Sequence, residues 1–405
     1  MTDSTQKIFF ANSAFRFSSP ACDCEVDILH PSKGVTKHIY RLYPKEDTLY
    51  YAYIAGQGLV SKKRNGAVEG RSVLPDLLAI KDDDSKAVKA FIEKHGFFLP
   101  LDPNENNSVE SDPLFGLINR LKATVALMSA LGEVTIDYKQ VIALTMYLLF
   151  TPQTSINLDN GYDGPFYTCP HEAGCVWQNI DSISELARQV EDEPNKGFYI
   201  NDSVRLPLTF LGMGEYDDAI GYGEYDFSNA RNRLIYLFRN AVNVSPHCRL
   251  AIDFLYHFHK DVGNIQSFNH NGELAFTESS PHAPVRFKSK FDNQLQTALL
   301  ALAKNTLKTE IEYNLGGITP LYDTELMTPS WHVDHLVSGL YFSIFYMRPG
   351  IELYRVCANP NCGRSFLVPT TSHKKRYCKT SCANAMAQRN HRKRKMDGNQ
   401  IANNR

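Results

Sequence analysis

The sequence predicts an α+β chain in three parts: a small β-rich N-terminal region, a mainly α-helical body, and a short C-terminal module ordered by a metal. Three observations predict it. Strand-type stretches crowd the chain before residue 55, apolar residues recur three or four apart from about 114 to 349, and four cysteines stand in two close pairs near the end. With 405 residues, 43% of them hydrophobic, the chain is long enough for two or three domains with buried cores.

The β-rich region begins with IFFANSAFRF, CEVDIL, KHIYRLY and TLYYAYIA, separated by Pro, Gly and charged turns, which argues for a small antiparallel sheet. Two helices around LPDLLAI and SKAVKAFIEKHGFF complete residues 1–100. The polar, Pro-bounded run within 101–113 reads as a linker. From 114 to 349 a series of amphipathic segments, among them PLFGLINRLKATVALMSAL, KQVIALTMYLLF, SISELARQV, SNARNRLIYLFRNAV, RLAIDFLYHFH and NQLQTALLALAK, reads as a helical body. Ser228 is a start signal for one of them, and Pro329-Ser330 before Trp331 for the last, SWHVDHLVSGLYFSIFYM. Arg348-Pro349-Gly350 breaks that helix, leaving 350–396 as the cysteine module and 397–405 as a flexible tail.

The uninterrupted apolar runs VIALTMYLLF and HLVSGLYFSIFYM fall short of the ~18 residues that a bilayer span needs, so no membrane partner is expected. MTDSTQKIFF lacks the basic start, apolar run and small-residue cleavage site of an export signal, which makes a reducing cytoplasm the expected location. There, paired cysteines hold metals more often than they form disulfides, and the odd total of nine argues against a full disulfide framework.

The net charge of −1 conceals an uneven distribution. Between Arg355 and Lys395 there are eleven Lys and Arg and no Asp or Glu, so the rest of the chain carries 32 basic against 44 acidic residues. A basic end is attached to an acidic body.

Four residues separate Cys357 from Cys362, three separate Cys378 from Cys382, and fifteen lie between the pairs. Both short spacings let one turn present two thiolates to a tetrahedral ion, and the long gap suits a hairpin that carries the second pair back. One Zn2+ per chain is expected, since a segment this polar cannot build a core of its own and metal binding supplies its folding energy. Asn359-Pro360-Asn361 marks a knuckle, 364–368 a strand, and Pro369-Thr370-Thr371-Ser372 a turn. Cys378 then sits at a helix start, with Thr380 or Ser381 as its cap, in what is a treble-clef-like arrangement. Nearby Lys374, Lys375, Arg376 and Lys379 favour the thiolate form.

The segment ELYRVCANPNCGRSFLVPTTSHKKRYCKTSCANAMAQRNHRKRK resembles the CGNR zinc finger, the C-terminal module of bacterial proteins regarded as transcription regulators. The resemblance rests on the pair Cys357 and Cys362, the Gly363-Arg364-x-Phe366 strand, Lys375-Arg376-Tyr377 before Cys378, and the basic helix after Cys382. It spans about 40 of the 405 residues. In the name-giving motif this chain reads Cys382-Ala383-Asn384-Ala385, so alanines replace the glycine and the arginine. Zinc binding is untouched by Ala383 and Ala385, and Arg389, one turn on, is placed to substitute for the missing arginine. The resemblance implies a zinc-binding, DNA-binding transcriptional regulator whose helical body senses a ligand or mediates assembly.

The residues beyond Cys382 fit that expectation. In a helix, Ala383, Met386, Ala387 and Asn390 form a small face suited to packing on the hairpin, while Asn384, Gln388, Arg392 and Lys395 line a polar face. Asn and Gln read adenine edges bidentately, and Arg392, Lys393, Arg394 and Lys395 neutralise phosphates. DNA is the expected partner and RNA the second, with a homodimer supplying the surface that a single finger lacks. The alternative is a protein-interaction module whose finger docks a partner without touching nucleic acid; there, HRKRK is a solvated helix end favoured by the helix dipole.

Other constellations carry less. Cys169, His171 and Cys175 offer three ligands with a wide gap and no partner pair, and Cys22-Asp-Cys24 points two thiols to one side of a strand. The His332/His335 pair would share a helical side, whereas His257/His259 would be split across one. Gly212-Met-Gly214 lacks the third glycine of a dinucleotide loop, and the acids within 215–226 read as a solvated surface. No serine, cysteine or lysine stands in a nucleophile setting, so no enzymatic activity is expected.

Overall fold

The computed structural model describes residues 16–32, 35–54, 58–63, 71–102, 107–151, 155–158, 166–167, 251, 254–255, 257–259, 261–263, 265–276, 281–324, 327–348, 351–362, 364–369, 371–372 and 374–403. These residues form an α+β chain: an N-terminal antiparallel sheet, a helical body and a C-terminal cysteine cluster. The chain divides into two compact units. One comprises Met1–Ile118, Asn157–Gly164 and Leu315–Arg405; the other, Asn119–Ile156 and Pro165–Asn314.

The first unit is built on a five-stranded antiparallel sheet. Strands β1 (Arg16–Ser32), β2 (Val35–Ile54), β3 (Gly58–Lys63) and β4 (Arg71–Ser72) pair in chain order, and β5 (Asn107–Glu110) pairs with β2. Alternation buries Tyr40 and Leu42 in the first half of β2 and Leu49 and Tyr51 in the second, with the phase changing across the register shift between Pro20 and Cys22 on β1. Cys22 and Cys24 lie buried on β1, where burial pushes both thiols up to about 12 and keeps them neutral. Helix α1 (Val73–Leu78) follows, then α2 (Ser85–His95). Asp84 caps α2 by accepting a bond from the Ala87 amide at 3.0 Å. Val88, Phe91, Ile92 and His95, at i, i+3, i+4 and i+7, are its buried stripe. Gly96 ends the helix at φ 79°, where a Cβ would come within 2.8 Å of the Tyr51 hydroxyl.

The stretch expected as a linker contributes β5, whose Asn107–Glu110 pair with Leu42 to Ile39 of β2. Its polar sequence gave no strand signal, because the pairing is secured by backbone bonds and by Asn107, whose amide donates to the Asp102 carbonyl at 2.7 Å.

Residues 315–349, expected with the helical body, belong to the first unit. Strand β10 (Ile318–Asp323) pairs with β11 (Thr328–Val333), so Pro329, Ser330 and Trp331 lie in a strand and not at a helix start. Helix α7 begins only at Leu336 and runs to Phe345. His332 therefore sits on the strand, exposed and paired with Asp334 at 3.0 Å, while His335 caps α7 by accepting the Ser338 amide at 3.1 Å. The two histidines do not share a helical face. Ser343 on α7 accepts the Leu59 amide at 3.3 Å, and the Val337 amide donates to the Phe98 carbonyl at 3.2 Å.

The second unit holds α3 (Ser111–Gly132) from Asn119 onward, α4 (Tyr138–Phe150), helical residues within 251–261, α5 (Ala283–Lys290) and α6 (Asn293–Asn314). Small hairpins β6 (Ser155–Ile156) with β7 (Phe166–Tyr167), and β8 (Ile265–Phe268) with β9 (Leu274–Phe276), complete it. Phe258 packs among Phe276, Phe287 and Phe291, with ring centroids about 6 Å apart. His257 and His259 flank it on a helix. Among the described residues α3 is the one helix long and apolar enough to cross a membrane by length and composition, with 72% of that stretch buried. Core helices pass the same test. Arg120 and Lys122 interrupt its apolar run, so uninterrupted runs alone did not single it out.

Cys169, His171, Cys175, Gly212, Gly214, the acids of 215–226 and the helices expected over SISELARQV and SNARNRLIYLFRNAV lie outside the described residues.

Candidate metal centre

Strands β12 (Glu352–Val356) and β13 (Ser365–Pro369) form an antiparallel hairpin in which Val356 faces Ser365 and Glu352 faces Pro369. The Cys357 amide extends the ladder by donating to the Arg364 carbonyl at 2.9 Å, so the first two cysteines sit on the loop that joins the strands. Asn359 shapes that loop: its side chain accepts the Asn361 amide at 3.1 Å, and its carbonyl accepts the Cys362 amide at 2.8 Å. The Ala358 amide reaches across to the Arg376 carbonyl at 2.8 Å, which brings the stretch before Cys378 against the knuckle.

The return from β13 passes through two tight turns, closed by the Ser372 amide on Pro369 and the Lys375 amide on Ser372. Helix α8 (Thr380–Asn403) begins two residues after Cys378 and carries Cys382 in its first turn. Thr380 and Ser381 were the expected caps. Lys379 takes that place, its carbonyl accepting the amides of Cys382 at 3.1 Å and Ala383 at 3.3 Å.

All four sulfurs lie within 4.8 Å of one another, and they are the one such ligand group among the described residues. Cys362 Sγ is 3.6 Å from Cys378 Sγ, which is 3.7 Å from Cys382 Sγ. Sulfurs placed tetrahedrally about 2.3 Å from zinc are about 3.8 Å apart, whereas a disulfide needs about 2.05 Å. The cage therefore has the dimensions of a tetrathiolate zinc site. Cys357 and Cys382 are buried, and Cys362 and Cys378 half-buried.

The electrostatics of the four sulfurs suit a cation. A hydrogen bond from the Arg364 backbone amide holds Cys362 down to about 7. Burial pushes Cys378 up to about 12, reinforced by its hydrogen bonds with the other cysteines, and burial also raises Cys382. Cys362 is thus the favoured thiolate, while Cys378 and Cys382 favour the thiol form. A bound dication removes that constraint by stabilising every sulfur as thiolate.

The cations around the cage are exposed: Arg364, Lys374, Lys375, Arg376 and Lys379. Lys375 Nζ lies 5.7 Å from the Phe366 ring centroid. Along α8, Asn384, Gln388, Arg389 and Arg392 are exposed, and Ala383 and Met386 are half-buried. Ala387 and Asn390, expected on the packed side, are exposed instead. Residues 393–395 continue the helix, while the side chains of Lys393, Arg394 and Lys395 lie outside the described residues.

One group of side chains at the finger's edge has no counterpart in the expectations. On α1 and α2, Asp76 accepts from both Lys94 and the buried His95, whose Nε2 is 2.9 Å away, and His95 Nδ1 is 2.8 Å from Ser61 Oγ. Burial alone would raise the Asp76 carboxyl, but His95 and Lys94 outweigh it and hold the group at about 2.

Neither the curated proteins nor the solved structures gave a match to the chain. The family model described as the CGNR zinc finger matches residues 354–395, a stretch that contains all four clustered cysteines. Residues 354–395 thus match a CGNR zinc finger, and the clustering of Cys357, Cys362, Cys378 and Cys382 there is consistent with one zinc ion.

Proposed function

We propose that the zinc finger binds nucleic acid, duplex DNA before RNA, and that the chain is a transcriptional regulator whose remaining parts control where the finger is placed. The observation that carries this reading is the state of α8. Beyond Met386, every described side chain of this 24-residue helix is exposed, on a stretch with no acidic residue before Asp397. A helix this polar gains little from packing, and its regular presentation of Asn384, Gln388 and Arg392 at i, i+4 and i+8 suits a groove. Lys374, Lys375 and Arg376 extend the positive surface toward phosphates beside it.

A protein-docking role has one observation in its favour, since the β13 hairpin already lies against α1 of the same unit. That contact uses the hairpin and leaves the described side chains of α8 beyond Met386 exposed.

The test is the salt dependence of binding to duplex DNA by the zinc-loaded chain. Affinity should fall steeply with rising salt, and replacing Arg392, Lys393, Arg394 and Lys395 by Gln should lower the log–log slope by roughly three to four. A parallel titration with duplex RNA orders the two nucleic acids. Equal behaviour of the wild-type and neutralised chains would favour the docking role.

A further inference from the structure

A cleft of about 510 Å³ lies where the zinc-finger hairpin meets α1 and the end of α2. It is the size of ordinary small-molecule sites, roughly 300–1,000 Å³. One wall is apolar, made of Pro75, Tyr354, Phe366 and Leu367, and Cys378 of the metal cage contributes to its lining. Its charged members are Asp76, Lys94, Arg364 and Lys379.

The charges are not balanced. Asp76 is the one carboxylate of the lining, and His95 and Lys94 already engage it. Among the described residues no ion pair engages Arg364 or Lys379. The loaded zinc site itself bears two net negative charges, four thiolates against one dication, and these draw on the cations nearby. Between Arg355 and Lys395 the finger carries eleven Lys and Arg and no Asp or Glu, so its own residues bring far more positive charge than the two negative charges of a loaded site.

From this arrangement we infer that the cleft binds a small organic anion, one carboxylate or phosphate group carried on a flat apolar body. The anionic group is held by Arg364 and Lys379, and the apolar body lies along Phe366, Leu367 and Pro75. A guanidinium presents a planar fork to either anion, and an ammonium adds a point charge. Such a ligand bridges the finger and α1, so it stabilises the pair as one body by mass action. The site is separate from the α8 residues assigned to nucleic acid, and it stands whether or not those bind.

The test is titration calorimetry on the zinc-loaded full chain with benzoate, phenyl phosphate, inorganic phosphate and benzyl alcohol. One aryl anion per chain is expected to bind, the stronger of benzoate and phenyl phosphate identifying the preferred anionic group. Inorganic phosphate should bind more weakly, and benzyl alcohol not at all. Arg364→Gln and Lys379→Gln should each weaken the aryl anion roughly tenfold. Because the Arg364 backbone, which bonds Cys357 and Cys362, is kept, zinc content should stay at one per chain in both variants. The chain neutralised at residues 392–395 should bind the aryl anion as the wild type does. No binding of either aryl anion at millimolar concentration would overturn the inference. So would affinity unchanged in the Arg364→Gln/Lys379→Gln double variant, or affinity lost on neutralising 392–395.

Discussion

Cys362 and Cys378, sixteen residues apart, bring their sulfurs within 3.6 Å while belonging to different local structures, a knuckle and the approach to a helix. One backbone bond, from the Ala358 amide to the Arg376 carbonyl, joins those two structures, and a zinc ion held by the sulfurs would be the stronger tie. The chain should carry one zinc, and Cys378→Ser should lose it and melt the hairpin, read by metal analysis and by amide exchange over residues 352–369. Loading must strip protons from thiols such as Cys378, which burial pushes up to about 12. Apparent zinc affinity should therefore fall as pH drops from 8 to 6, measured by competition with a chromophoric chelator.

Arg120 and Glu310 form a forked ion pair in the second unit, Nε to Oε1 at 2.8 Å and Nη2 to Oε2 at 2.6 Å, and their side chains are 4% and 1% exposed. Nη2 also donates to the Leu148 carbonyl. Removing one partner leaves a buried charge without compensation. Arg120→Met or Glu310→Leu alone should cost about 3–5 kcal/mol, and the double replacement much less than the two together. Urea unfolding of the four chains would measure the coupling.

Gly58 and Ser343 hold α7 against β3. Ser343 accepts the buried Leu59 amide, and a Cβ on Gly58 would sit 3.2 Å from its oxygen at φ 74°. Ser343→Ala should cost about 1–3 kcal/mol by orphaning that amide, and Gly58→Ala more than about 1 kcal/mol through strain. The two are neighbours, so their combined effect should depart from additivity in thermal unfolding.

The zinc site was legible because ligand spacing is a local property: each pair lies within one turn, and the basic, core-poor segment around it needs a metal. The N-terminal sheet was legible for a similar reason, since β-branched and aromatic residues alternate over long strands. What escaped depends on partners distant in sequence. Trp331 reads as the start of a helix because Pro329-Ser330 precedes it, yet it pairs with Pro320 in a hairpin that lies against β1. Residues 315–349 show apolar faces without saying which surface covers them, and that surface is the N-terminal sheet. The Ser61–His95–Asp76 chain draws on a strand and two helices, and no spacing rule joins them.

His335 should make the first unit sensitive to mild acid. Its Nδ1 must be unprotonated to accept the Ser338 amide, and burial lowers its pKa against a smaller opposing pull from Asp334. In the unfolded chain the same imidazole titrates near its usual value of about 6.5. Below that pH the unfolded state takes up the proton first, so stability should decline as pH falls, and it should be unaffected by His335 at pH 8. Asn accepts the same capping bond without titrating. In His335→Asn the loss between pH 7.5 and 5.5 should shrink, measured by denaturant midpoints at each pH, with zinc held saturating so that release from the cysteines does not contribute. An unchanged pH dependence in that variant would place the acid sensitivity elsewhere.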